Sequence, residues 1–243
     1  MDRAARELKI DPLELRRINF IKKESFPYRS STGEMIDVGD FDRVLRAAEI
    51  SADIKGFEQR KKESEAKGRL RGLGLCYYIE SILGDPSEEA KVVFEEDGSV
   101  KIFVGTQSNG QGHETVFAQF LSDQTGIPTE KIIVVQGDSD LIPRGGGTGG
   151  SRSVTVQNNA TLATVEKIIQ SFSQYLSEKL EVDVEDIGFD DTSFRIKGSN
   201  YSPNALEVAK MACEDHRFDL LKHSAKATLD ARSFPNGAHF AEV

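Results

Sequence analysis

Apolar residues recur along this chain at helical spacing in a few long stretches and at strand spacing in several short ones, with glycine-rich breaks between them. Asp11-Pro12-Leu13-Glu14 supplies an N-cap, a proline at the first helical position and an acid in the first turn, which predicts a helix to about Phe20. Phe41, Val44, Leu45, Ala48 and Phe57 keep helical spacing opposite a charged face, predicting one helix over 40–67 whose charge-rich end, 58–71, is solvated before it becomes a linker. From Leu70 the pattern turns to strands. Leu73 to Ile79 is a compact apolar run, and 91–96 with 100–104 brackets Asp97-Gly98, the dipeptide of a tight hairpin. Val116, Phe117, Phe120 and Leu121 mark an amphipathic helix over 114–125 stopped by Gly126, followed by a buried strand at 132–136 and a long helix over 153–179. The remainder predicts a strand pair within 188–197, a helix over 203–214, and strands at 226–232 and 238–243. This mixture predicts an α+β fold with mixed sheets, divided into a helical segment 1–67 and a second region 68–243. Val243 is apolar and lies inside the last strand, so the pattern predicts a chain cut from a longer one.

Two glycine-rich loops stand between strand and helix: Gly105-Thr106-Gln107-Ser108-Asn109-Gly110-Gln111-Gly112 and Gly145-Gly146-Gly147-Thr148-Gly149-Gly150-Ser151-Arg152-Ser153. Glycine lets backbone N–H groups approach a ligand, and a helix start adds unpaired donors and the positive end of its dipole. The repeated order of strand, loop and helix predicts two helix N-termini facing one crevice, with one ligand held from both sides.

Composition narrows the classes of partner. The 243 residues are 38% hydrophobic, enough for a sizeable core, and 31 Lys plus Arg against 40 Asp plus Glu leave a formal charge of −9, which argues against nucleic acid. No apolar run approaches the roughly 20 residues of a membrane span, and the N-terminus lacks a signal-peptide core, so the chain reads as cytoplasmic with no membrane partner. Cys76 and Cys213 stand far apart with no Cys or His cluster, which argues against a thiolate metal site or an iron–sulfur cluster in this chain. The run around Cys76 predicts a buried thiol.

Each candidate chemical group has a plainer reading beside it. Gly145-x-Gly147-x-x-Gly150 matches the dinucleotide pattern but lies well past its strand, and no lysine follows the glycines as a Walker A loop requires. Asp138 and Asp140 lack the further oxygen ligands of a calcium loop and read as a polar turn. His113 reads as a capping or packing residue rather than a catalytic one. The Gln111 carboxamide offers donors and an acceptor to a polar heterocycle, or caps its helix.

The two loops resemble a known family. Residues 105–115, ending Gly110-Gln111-Gly112-His113-Glu114-Thr115, and the later Gly147-Thr148-Gly149-Gly150-Ser151-Arg152-Ser153 are similar to the molybdopterin-binding large subunit of molybdenum hydroxylases. That family includes xanthine dehydrogenase, aldehyde oxidase and aerobic carbon monoxide dehydrogenase. Asp11 to Asn19, Gly74 to Glu80 and Phe234-Pro235-Asn236-Gly237 extend the resemblance over nearly the whole chain. It implies that residues 68–243 are part of a molybdopterin-binding domain. It also implies cofactor contacts at Gly110, Gln111, Gly112, Gly149, Gly150, Ser151, Arg152 and Ser153. Arg152 is expected to supply charge there, or to form a structural ion pair.

The family's upstream phenylalanine-rich glycine motif and substrate loop, and its glutamate base near the subunit's C-terminus, find no match here, so no catalytic residue and no metal ligand is expected in this chain. Met1 then reads as an internal methionine of a longer subunit. The resemblance implies a fragment or split subunit of an enzyme that oxidises an aldehyde, purine, N-heterocycle or carbon monoxide. Its expected partners are the remainder of the large subunit, iron–sulfur and FAD subunits or domains, and a small-molecule substrate. A non-catalytic scaffold or assembly module that keeps the fold is the alternative.

Overall fold

A computed structural model describes all 243 residues. In chain order the helices are α1 (Asp2–Leu8), α2 (Pro12–Ile18), α3 (Phe41–Ser51), α4 (Phe57–Ala66), α5 (His113–Thr125), α6 (Ser153–Leu180) and α7 (Ala205–Glu214). The strands are β1 (Tyr28–Arg29), β2 (Met35–Ile36), β3 (Leu73–Ile79), β4 (Ser87–Phe94), β5 (Val100–Val104), β6 (Ile132–Val135), β7 (Ile187–Phe189), β8 (Phe194–Ile196), β9 (Lys222–Thr228) and β10 (Asn236–Glu242). They form two compact units, residues 1–81 with 233–243, and residues 82–232. The α+β class with mixed sheets is as expected.

In the first unit, Asp11 caps α2 by accepting from Leu13 N at 2.8 Å and Glu14 N at 3.1 Å. The single helix expected over 40–67 is two. Asp53 turns left-handed with φ 44°, and Arg60 reaches back to the Asp53 carboxylate at 2.5 Å and its carbonyl at 3.0 Å, clamping the break. Gly56 leaves room for this clamp, because a Cβ there would stand 2.2 Å from Asp53 Oδ2.

The compact units part after Ser81 rather than at residue 67. The reason is pairing: β3 joins β10 in an antiparallel ribbon from Leu73↔Glu242 to Ile79↔Asn236, apart from the larger sheet. A two-stranded ribbon covers one face only, so Leu75 and Tyr77 are half-buried while Cys76, expected to be buried, is exposed. Tyr77 packs against Phe20 and Phe41 at centroid distances of 4.7 and 6.0 Å. Burial, with the Asp40 charge nearby, pushes its phenol up to about 12.

The second unit is built on a four-stranded sheet ordered β6-β5-β4-β9. The hairpin at Asp97-Gly98 forms as expected, with Phe94 opposite Val100, although β4 begins earlier than expected, at Ser87. The strand expected at 226–232 is β9, shifted toward the N-terminus. Pairing of β5 with β6 is parallel, from Val100↔Ile132 to Phe103↔Val135, and α5 makes the crossover. Helix α6 lies against β4 and β9. Phe172 on α6 is fully buried, 5.3 Å from the Phe94 ring, 6.1 Å from Phe194 and 5.7 Å from His223.

Phe172→Ala empties the middle of this core and should cost about 3–5 kcal/mol, read as a lower denaturant midpoint for the second unit. In the first unit, hydrogen bonds from Arg60 and then Arg71 hold the Glu242 carboxyl down at about 2, from an ordinary 4.5. A depressed carboxyl contributes stability that is fully present above its unfolded pKa and lost as pH falls through its folded value. The melting temperature should therefore fall between about pH 4.5 and about pH 2, and less steeply in Glu242→Gln.

Candidate functional site

Parallel pairing sends β5 and β6 out of the sheet at the same end, where the two glycine loops follow them. The antiparallel β4 begins at that end, since Ala90 stands opposite Val104. Gly147 N donates to Gly105 O at 3.3 Å, and Thr148 Oγ1 to Gln107 O at 2.5 Å. Gln136, just past β6, accepts from Ser108 N at 2.9 Å. Gly105 N donates to Oε1 of Gln157, in the second turn of α6, at 3.0 Å, while Nδ1 of His113, the first residue of α5, lies 3.3 Å from Thr106 O. Side chains from the first two turns of α6 and from the start of α5 thus meet at Gly105 and Thr106. Gly105 and Gly145 permit the approach, because a Cβ on Gly145 would fall 2.3 Å from Gly105 O.

The two helices that follow the loops begin without a side-chain cap, at Gly112 and Arg152, as do α1 and α4, whereas α2, α3 and α7 are capped by Asp11, Asp40 and Asn204. An uncapped start leaves first-turn N–H groups to another acceptor. At Gly110, Gly112, Gly147 and Gly149 a Cβ would meet nothing within 4 Å, so these loop faces are open.

The residues singled out from the sequence divide into three groups. Gly110, Gly112 and Gly149 lie on open faces, with exposed Gln111 and Ser151 between them; Gln111 Oε1 accepts from Asn109 N at 2.5 Å, and Ser151 is left-handed at φ 56°. Gly150 packs on Leu83 and accepts its N–H at 2.8 Å, and Ser153 is buried with Oγ 3.4 Å from Thr148 Oγ1. Arg152 is only 2% exposed, and its guanidinium meets Glu88 and the carbonyls of Asp85, Ser87 and Gly147, which is the structural ion pair rather than a free cation.

His113 is buried against Phe117 at 5.0 Å, and Asp138 Oδ1 accepts from Asp140 N and Leu141 N in a polar turn. Sequence reasoning missed Glu88 and Gln157. Glu88 had a signal, because it shares the alternating phase of Ala90, Val92 and Phe94, all buried.

A family described as the molybdopterin cofactor-binding domain matches residues 47–243. The chain belongs to this family, within the molybdenum hydroxylases. It is 33% identical over 214 residues to the carbon monoxide dehydrogenase large chain of Afipia carboxidovorans, covering 80% of this chain and 26% of that one. It is 32% identical over 225 residues to the nicotine 6-hydroxylase large subunit of Paenarthrobacter nicotinovorans, covering 87% and 27%. Among solved structures, the Cu,Mo-CO dehydrogenase superposes with a TM-score of 0.82 at 30% identity, over 98% of this chain and 33% of that one. Quinoline 2-oxidoreductase from Pseudomonas putida 86 also gives 0.82, at 26% identity, over 100% and 33%. The chain therefore spans about a quarter of the length of the curated relatives it matches. No helix is long and apolar enough to cross a membrane.

The loop contact in this cofactor-binding domain can be tested through its glycines. Gly105→Ala would put a methyl 2.3 Å from Glu88 Oε1 and 2.6 Å from Gly145 Cα. Overpacking of this kind typically costs about 1–3 kcal/mol and should lower the melting temperature. Gly149→Ala points into open space and should leave it nearly unchanged.

Proposed function

We propose that this chain holds the pyranopterin and phosphate-bearing tail of a molybdenum cofactor within a larger molybdenum hydroxylase or dehydrogenase. The observation that carries the reading is the meeting of two glycine loops, through Gly147 N and Gly105 O, at the shared exit of a parallel strand pair. Ligands of open α/β sheets favour this place, outside the carboxyl ends of the strands. The residues fit such a group. Open glycine faces admit a flat heterocycle, and two uncapped helix starts present N–H donors suited to phosphate oxygens.

In this reading Gly110, Gln111 and Gly112 line the pterin edge, where the Gln111 amide donates and its oxygen accepts. Gly149, Gly150, Ser151 and Ser153 surround the tail, with hydroxyls and backbone N–H groups as donors, and Arg152 shapes the loop from behind. The bound cofactor would supply two-electron oxidation of an aldehyde, a purine, an N-heterocycle or carbon monoxide. Iron–sulfur and flavin partners would receive the electrons, and the remainder of a large subunit would complete the substrate pocket and bring a base. The chain by itself binds and orients, and is catalytically silent.

Gln111→Ala and Ser151→Ala test the assignment in the assembled complex. Losing one hydrogen bond to a charged group typically costs roughly 1.5–3 kcal/mol, about 10- to 150-fold in affinity. Molybdenum and pterin content should fall, more for Ser151 than for Gln111, while sites that stay loaded keep their Michaelis constants. Unchanged content in both variants would leave these residues as loop-shaping groups only. Turnover of an aldehyde or purine by the chain alone, supplied with cofactor, would refute the dependence on partners.

A further inference from the structure

Glu88 belongs to no motif, yet both glycine loops converge on its carboxylate. We infer that the buried Glu88–Arg152 pair is a positioning lock for the cofactor cradle, and that Arg152 gives the cofactor no charge of its own. The inference rests on the reading of the loops as that cradle.

Both side chains are 2% exposed. Glu88 Oε2 accepts from Arg152 Nη1 and Nη2 at 3.1 Å each and from Gly146 N at 2.9 Å. Its Oε1 accepts from Glu89 N at 3.2 Å and lies where no side chain on Gly105 could fit. One carboxylate thereby bonds the second loop and packs on the first residue of the other.

Arg152 completes the lock. Nε donates to Asp85 O at 2.8 Å, Nη1 to Gly147 O at 2.7 Å and Nη2 to Ser87 O at 2.8 Å. With the two bonds to Glu88, the five N–H donors of a guanidinium are all engaged within the protein. A side chain on Gly146 would fall 2.4 Å from Nη2, so the loop backbone lies flat against the guanidinium. Gln157 adds a third tie, accepting from Gly105 N and donating through Nε2 to Glu89 O at 3.1 Å. The pair carries no net charge, which leaves a bound phosphate to backbone N–H groups and hydroxyls.

Glu88→Gln separates a lock from a direct phosphate contact, because the two predict opposite signs. If Arg152 met phosphate, removing the Glu88 charge would leave the guanidinium free to bind it more strongly. If the pair positions the loops, the same change loosens the cradle. The experiment measures molybdenum by elemental analysis and released pterin by fluorescence, per folded chain, in the complex purified from cells that make the cofactor.

Glu88→Gln should weaken retention on the order of 10- to 100-fold, as loss of a group that supports metal ligands from behind does, with unchanged Michaelis constants at the sites still loaded. Phe172→Ala, destabilised in a core away from the loops, should keep its loading per folded chain, a split that a role in stability alone would not give, whereas the paired change Glu88→Leu with Arg152→Met, which leaves five backbone groups without partners, should melt lower and lack cofactor. It also carries the test if Glu88→Gln fails to fold. Content at or above the wild-type level in Glu88→Gln, or full loading of the paired variant, overturns the lock. A wild-type complex without molybdenum and pterin overturns the cofactor reading and the lock together, and is told apart because loading then fails before any substitution.

Discussion

The parallel pairing of β5 with β6 is the constraint on which the site depends. Two parallel strands joined by α5 must both leave the sheet at one end, so the loops that follow them are neighbours whatever their sequences. The antiparallel β4 begins at that end and contributes Glu88. The glycines then decide how closely the loops meet, and the approach of Gly105 to Gly145 leaves space for no side chain on either.

A buried ion pair at this junction is a costly choice. Desolvating a carboxylate and a guanidinium typically costs several kcal/mol each, and the attraction between them offsets this only when the remaining donors and acceptors are also satisfied. Here the guanidinium meets three carbonyls and the carboxylate meets two backbone N–H groups. An apolar pair of the same size would avoid that desolvation but leave those five backbone groups without partners. It would not fix the direction of the loop carbonyls and amides, and that specificity is what a cradle built from backbone donors requires.

Much of the fold was legible in the sequence because its signals are local. The Asp97-Gly98 hairpin, the α5 stop at Gly126 and the two loop–helix junctions follow from short-range turn and cap chemistry. What was not legible depends on partners distant in sequence. Cys76 reads as buried from its apolar neighbours, but β3 pairs only with β10 and its outer face is left uncovered. The break at Asp53 depends on Arg60 folding back upon it, which helical spacing does not register. Arg152 sits inside a recognisable motif, but its role is set by Glu88, 64 positions earlier. An acid in the buried phase of a strand was the one available clue.

If the two loops form one cradle rather than two independent surfaces, bound cofactor must protect both. Amide hydrogen exchange on the complex, with and without bound cofactor, reads this out. Residues 105–112 and 145–153 should gain protection together when the cofactor is present, while the turn at Asp97-Gly98, at the far end of β5, should not. Protection confined to one loop, or absent from both, would contradict a single cradle.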